Sequence, residues 1–176
     1  FSARSAPGNR PINWMFCRIV SECVKFRLEY HIMVTSCLKR LAERWYHCMT
    51  KTERTIYALV GPVRYNTLPF SLAIDLAMEL LFVRRIAMDD IRVTRDIYTP
   101  TARQLGKTTT AVSRPIVRLC NLCWDTMVDA GEVERYLGKP IRDLRAPTEM
   151  IFYLAFLVHF DQPFYCVVQN VPTLLF

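Results

Sequence analysis

The sequence predicts an all-α fold: about six helices containing a helix-turn-helix, preceded by a long N-terminal helix. Apolar residues recur at steps of three and four along most of the chain, the period of a helix with one face buried. No stretch before Pro163 shows the convincing period-two alternation of a strand. Gly and Pro fall between the periodic runs, where they punctuate helices. With 52% hydrophobic residues and only five glycines in 176, the chain has ample material for a core and is not a disordered protein.

Taken in order, residues 1–13 carry Pro7, Gly8, Asn9 and Pro11 and read as a loose lead-in. From Trp14 to about Met49 there is neither Pro nor Gly, and Ile19, Cys23, Phe26, Tyr30, Met33, Cys37, Leu41 and Trp45 form one stripe of a long helix. That stripe either packs on its own domain or, being close to a heptad seam, joins two copies. A second helix is expected from about Thr52 to the stop at Gly61-Pro62, and a third from about Pro69 to Arg85. Asp89-Asp90 are expected to cap a further stretch to about Asp96. After the segment treated below, Asp129-Ala130-Gly131 marks a turn, followed by a short helix near Glu132–Leu137 and a loop at Gly138-Lys139-Pro140. Ala146-Pro147-Thr148-Glu149 opens a last helix through about Phe160, and the tail from Pro163 reads as a strand or extended arm. The expected division is a lead-in and amphipathic helix at 1–50, a helix-turn-helix domain at 51–162 and a tail at 163–176.

The formal net charge of +7, from 23 Lys+Arg against 16 Asp+Glu, favours a polyanionic partner. Seven cysteines, odd in number and set mostly in helical patterns, argue for a reduced compartment and no disulfide framework. No signal peptide opens the chain, and Phe1 stands where an initiator Met is usual, which points to a fragment or a processed chain. The most apolar runs, Leu76 to Val83 and Met150 to Val158, fall short of a membrane span. The expectation is a soluble, cytoplasmic protein that does not engage a membrane.

The informative segment is Tyr98 to Trp124. Thr99 is placed to cap a short helix with Pro100 at its first position, and Gly106 supplies the left-handed residue that ends it near Leu105. Lys107 and Thr108, Thr109 and Thr110 follow, any of the threonines able to cap the next helix. Helix, short glycine turn and second helix is the helix-turn-helix pattern. On the second helix Val112, Ile116, Leu119, Cys120 and Cys123 share an inward face, while Ser113, Arg114, Val117, Arg118 and Asn121 share the opposite one. Between Ile97 and Trp124 there are four cations, Arg103, Lys107, Arg114 and Arg118, and no carboxylate. Such a face suits DNA: Ser113, Arg114 and Arg118 are expected at base edges, while Arg103, Lys107 and the Thr108–Thr110 turn hold phosphates.

The same segment resembles, without a gap, the DNA-binding effector domain of the stage-zero sporulation protein A family, response regulators controlling entry into endospore formation. The matching positions include Tyr98, Ala102, Arg103, Thr108, Val112, Arg114, Ile116 and Trp124. Weaker similarity runs through Val60-Gly61-Pro62, Leu137-Gly138 and Thr148-Glu149-Met150-Ile151, so that it covers about residues 52–160. The resemblance implies a six-helix domain that reads a short DNA box through its fourth helix and often binds as a tandem dimer. The family's reading face carries Glu-Arg and a second Arg a turn later; here the positions hold Ser113, Arg114 and Val117, so the family's sequence preference does not transfer. Pro115 is a second departure, calling for a helix that starts late, near Ala111 or Val112, or one that is kinked. Residues 1–50 are too short for the receiver domain that usually precedes such effectors, so phosphorylation control in cis is expected to be missing.

Other motifs carry less. Cys120-Asn121-Leu122-Cys123 has metal-ligand spacing, but with no second pair nearby it reads as core thiols. Gly106-Lys107-Thr108 mimics a P-loop ending without the upstream glycine or strand. His31, His47 and His159 are scattered, and nothing supports catalysis, a cofactor, a metal or a small-molecule substrate. The expected function is a sequence-specific DNA-binding transcriptional regulator with double-stranded DNA as partner, dimerising through residues 14–49 or in tandem on DNA. The alternative is a helical protein-interaction module, or a relative that no longer binds DNA and acts through partner association.

Overall fold

The computed structural model describes residues 48–61, 63–144 and 146–170, and among them the fold is all-helical with no strand. The expected 14–49 helix lies outside the described residues except for its last two positions. Seven α-helices follow in order: α1 Lys51–Val60, α2 Leu68–Met78, α3 Thr99–Gln104, α4 Thr109–Asp129, α5 Val133–Leu137, α6 Glu149–Phe160 and α7 Phe164–Asn170.

Helix α1 starts one residue before the expected Thr52, because Thr50 and Glu53 form a reciprocal capping box: Glu53 N–H donates to Thr50 Oγ1 at 3.1 Å, and Thr50 N–H to Glu53 Oε2 at 3.0 Å. Gly61 ends the helix as expected, at φ 67°. Asn66 Oδ1 accepts from Leu68 N–H at 3.1 Å, and Pro69 sits in the first turn of α2. At Glu79–Val83 α2 widens into a π-turn, with Arg84 N–H reaching back to Glu79 O.

Two caps differ from expectation. Asp89 and Asp90 are exposed in a short 3₁₀ turn and cap nothing; the carboxylate that acts is Asp96, whose Oδ2 accepts from Arg92 N–H at 2.8 Å. Thr99 is not an N-cap either. A π-turn at Val93–Tyr98 runs directly into α3, and the Thr99 hydroxyl donates to Thr94 O at 2.9 Å. Pro100 explains the widening, since its ring crowds the carbonyl one turn back and a wider turn gives it room.

Helix α6 is the centre of the core. Met150 through Phe156 and Val158 are all buried, and the helix packs most extensively on α2, with further contacts to α7, α1 and α4. It is not the last helix. Of the tail expected as a strand or extended arm from Pro163, Phe164–Asn170 form α7, turned 69° from α6 and burying Phe164 and Val167 in the same core; residues 171–176 lie outside the described residues. Period-two reading misjudged it because seven residues with two buried positions give little periodicity of either kind. Aromatic rings bind the two helices: Phe164 meets Tyr153 and Phe156 edge-on, with centroids 5.0 and 4.9 Å apart. No single helix among the described residues is long and apolar enough to cross a membrane.

Between α5 and α7 the chain passes closely. Gly138 lies at φ 84°, and a β-carbon there would stand 2.8 Å from Cys166 Sγ and 3.1 Å from Cys166 N. Gly138→Ala combines left-handed strain with this clash and should destabilise the fold by at least ~2 kcal/mol, a fall of roughly 10 °C in a thermal melt. A second prediction concerns α1 and α2, which are joined by the Thr52 hydroxyl donating to Asp75 Oδ1 at 2.5 Å. Burial raises the Asp75 pKa, opposed by that hydrogen bond and assisted by the nearby Glu53 charge. A carboxyl that binds its proton more tightly folded than unfolded loses stability as pH rises through the raised value. Asp75→Asn keeps the acceptor and removes the charge, so its melting temperature relative to wild type should rise between about pH 4 and about pH 7.

Candidate nucleic-acid interface

The expected segment is built by two consecutive local devices. At the end of α3, Lys107 N–H bonds to Ala102 O at 2.9 Å and Gly106 N–H to Arg103 O at 3.2 Å, the two bonds of a Schellman motif closed by Gly106 at φ 62°. Thr108 is then the threonine that caps α4, its Oγ1 accepting from Ala111 N–H at 3.3 Å. Thr109 and Thr110 N–H make no hydrogen bond among the described residues, and they stand at the positive end of a long helix.

With its cap at Thr108, α4 begins at Thr109, not near Ala111 or Val112. Pro115 is therefore its seventh residue and lies inside the helix, with its ring where an N–H would have met the Ala111 carbonyl.

The inward face falls where the periodicity puts it. Val112, Ile116, Cys120 and Cys123 are fully buried and Leu119 nearly so, with Met127 continuing the seam. Burial pushes the Cys123 thiol up to about 12; it raises Cys120 further, reinforced by Cys123 beside it. Tyr98 packs near Cys120 with its hydroxyl buried and unpartnered, and burial, then Cys120, pushes its pKa up to about 12.

On the outer face Arg114, Arg118 and Asn121 are exposed, while Ser113 and Val117 are half-buried. The Ser113 hydroxyl donates back to Thr110 O at 3.3 Å. Lys107, Arg114 and Arg118 come together along one groove of about 320 Å³, whose other walls are Tyr65, Asn66, Pro69, Ala111 and Pro115. Arg103 is exposed on α3 and lies outside that lining, as do Thr108, Thr109, Thr110, Ser113, Val117 and Asn121.

Tyr65 and Asn66 were not singled out from the sequence. Tyr65 comes from the loop between α1 and α2, 53 positions from Arg118, yet the Arg118 guanidinium lies 4.1 Å from its ring centroid and Nη2 donates to its hydroxyl at 2.6 Å. The available signal was an aromatic residue in a short basic and polar loop, Arg64-Tyr65-Asn66.

No family model, curated protein or solved structure matches the chain.

The raised pKa values and full burial of Cys120 and Cys123 make both poor nucleophiles. Brief alkylation of the native protein at about pH 8, mapped by mass spectrometry, should modify exposed Cys48 and spare both; denaturant should expose them together.

Proposed function

We propose that this chain is a sequence-specific DNA-binding transcriptional regulator, of the kind found as effector domains in the sporulation-factor family it resembles. One observation carries the reading. Three cations, Lys107, Arg114 and Arg118, line a single groove along the first half of α4, and no carboxylate lines it among the described residues. Around it the turn offers the free Thr109 and Thr110 amides, and Arg103 adds a fourth exposed cation.

In this reading α4 enters the major groove with Arg114, Ser113 and Asn121 toward base edges, since these lie on its outer face. Arg103, Lys107 and the Thr108–Thr110 turn take backbone phosphates, which position the protein without specifying sequence. Ser113 and Val117 give the chain a target of its own. The protein acts in the cytoplasm, on duplex DNA, alone or as a tandem pair.

Selection of bound duplexes from a random pool tests it. A shared motif should emerge, and with about four phosphates neutralised log affinity should fall against log salt with a slope near −3.6. Arg114→Ala should flatten the selected motif at one or two positions, whereas Lys107→Ala should weaken all duplexes alike. Absence of salt-dependent binding to any duplex in the pool would sink the proposal.

A further inference from the structure

The groove between the 63–67 loop and α4 is one-sided in charge, lined by three cations and no carboxylate among the described residues. Its two side-chain acceptors each already hold a donor: Asn66 Oδ1 takes Leu68 N–H at 3.1 Å, and the Tyr65 oxygen takes Arg118 Nη2 at 2.6 Å. Its side-chain donors are in excess. Lys107 and Arg114 have no partner among the described residues, the rest of the Arg118 fork is uncommitted, and the Asn66 amide nitrogen is unused. A tyrosine oxygen that accepts from Arg118 still holds its own proton, so Tyr65 is a donor too. Three cations with no carboxylate beside them call for an anion that accepts hydrogen bonds, and a phosphate is such a ligand.

We infer that this groove is a phosphate site in which Tyr65 and Arg118 act as one clasp, and that Arg118 grips a phosphate and does not read a base. The inference rests on the DNA-binding reading for the source of the phosphate. Recognition of guanine by arginine uses two donors of a free fork. Here one donor is given to Tyr65 and the guanidinium carbon lies over its ring, which draws Arg118 toward the loop. A phosphate needs only that the remaining donors converge on it, and Lys107 lines the same groove, while Arg114 keeps its donors for a base edge. At about 320 Å³ the groove is of small-ligand size, so a stretch of DNA backbone and a free phosphorylated molecule both meet its chemistry.

Arg118→Ala, Tyr65→Phe and wild type are compared on the selected duplex and a scrambled one across a salt series. Tyr65 is 38% exposed and Arg118 is exposed, so neither substitution opens the core, and thermal melts should coincide. Arg118→Ala should weaken both duplexes about tenfold at ~0.1 M salt, flatten the salt slope by about 0.9, and leave the ratio between them unchanged. Tyr65→Phe keeps the ring and removes the hydroxyl; it should weaken both duplexes in the same direction by a smaller factor, again with the ratio unchanged. A fall in that ratio for Arg118→Ala, or no change in affinity, overturns the inference while the DNA reading stands. In parallel, inorganic phosphate and adenosine monophosphate are titrated while amide shifts of residues 63–67 and α4 are followed. If wild type binds no duplex but these ligands shift the groove amides, the DNA reading falls and the phosphate site stands with a free ligand. If neither binds, both fall.

Discussion

Helix α6 can exist only if neighbours cover it on every side, and the rest of the domain is arranged to do so. Eight of its twelve residues are buried, seven of them consecutive from Met150 to Phe156, so it has almost no solvent face. At roughly 1.5–3 kcal/mol for each large apolar side chain removed from water, that surface outweighs any single cap or ion pair. α2 covers one side, and α1, α4 and α7 close the others. For α4 this has a rotational consequence. Its seam of Val112, Ile116, Leu119, Cys120, Cys123 and Met127 must face the core, and a helix turns about 100° per residue. A slip of one residue would swing Arg114 and Arg118 toward apolar neighbours. Core packing thus aims the cations.

Local chemistry sets where α4 begins, which packing alone does not. Gly106 closes α3 and Thr108 caps α4 two residues later, leaving a turn too short to shift. That early start places Pro115 well inside the helix and puts its ring on the groove wall beside Ala111. A proline here leaves the Ala111 carbonyl without its helical N–H, and supplies a rigid apolar surface for the cations to stand around.

Much of this was legible in the residues. The α4 faces followed from period alone, because a 21-residue helix samples its core many times. Gly106, Gly61 and the helix at Val133–Leu137 followed from punctuation. What escaped were features decided by competition between nearby groups. Thr99 has a capping side chain, but the π-turn before it had already claimed the position; Asp89 and Asp90 lost the capping role to Asp96. The α7 segment carried too few buried positions to declare itself. Tyr65 was hidden for a different reason: its partner is remote in sequence, and the packing of α1 and α2 on α4 brings the two together.

The Tyr65–Arg118 contact ties a loop that belongs to the first two helices to the exposed face of the fourth. Thermodynamic linkage gives that tie a direction-free meaning. Whatever occupies the groove and changes the Arg118–Tyr65 geometry alters the free energy of the loop by the same amount that the loop's conformation alters the occupant's affinity. The 63–67 segment is thereby a second handle on α4: a change of partner, charge or modification there is felt at the groove without touching α3, the glycine turn or the core.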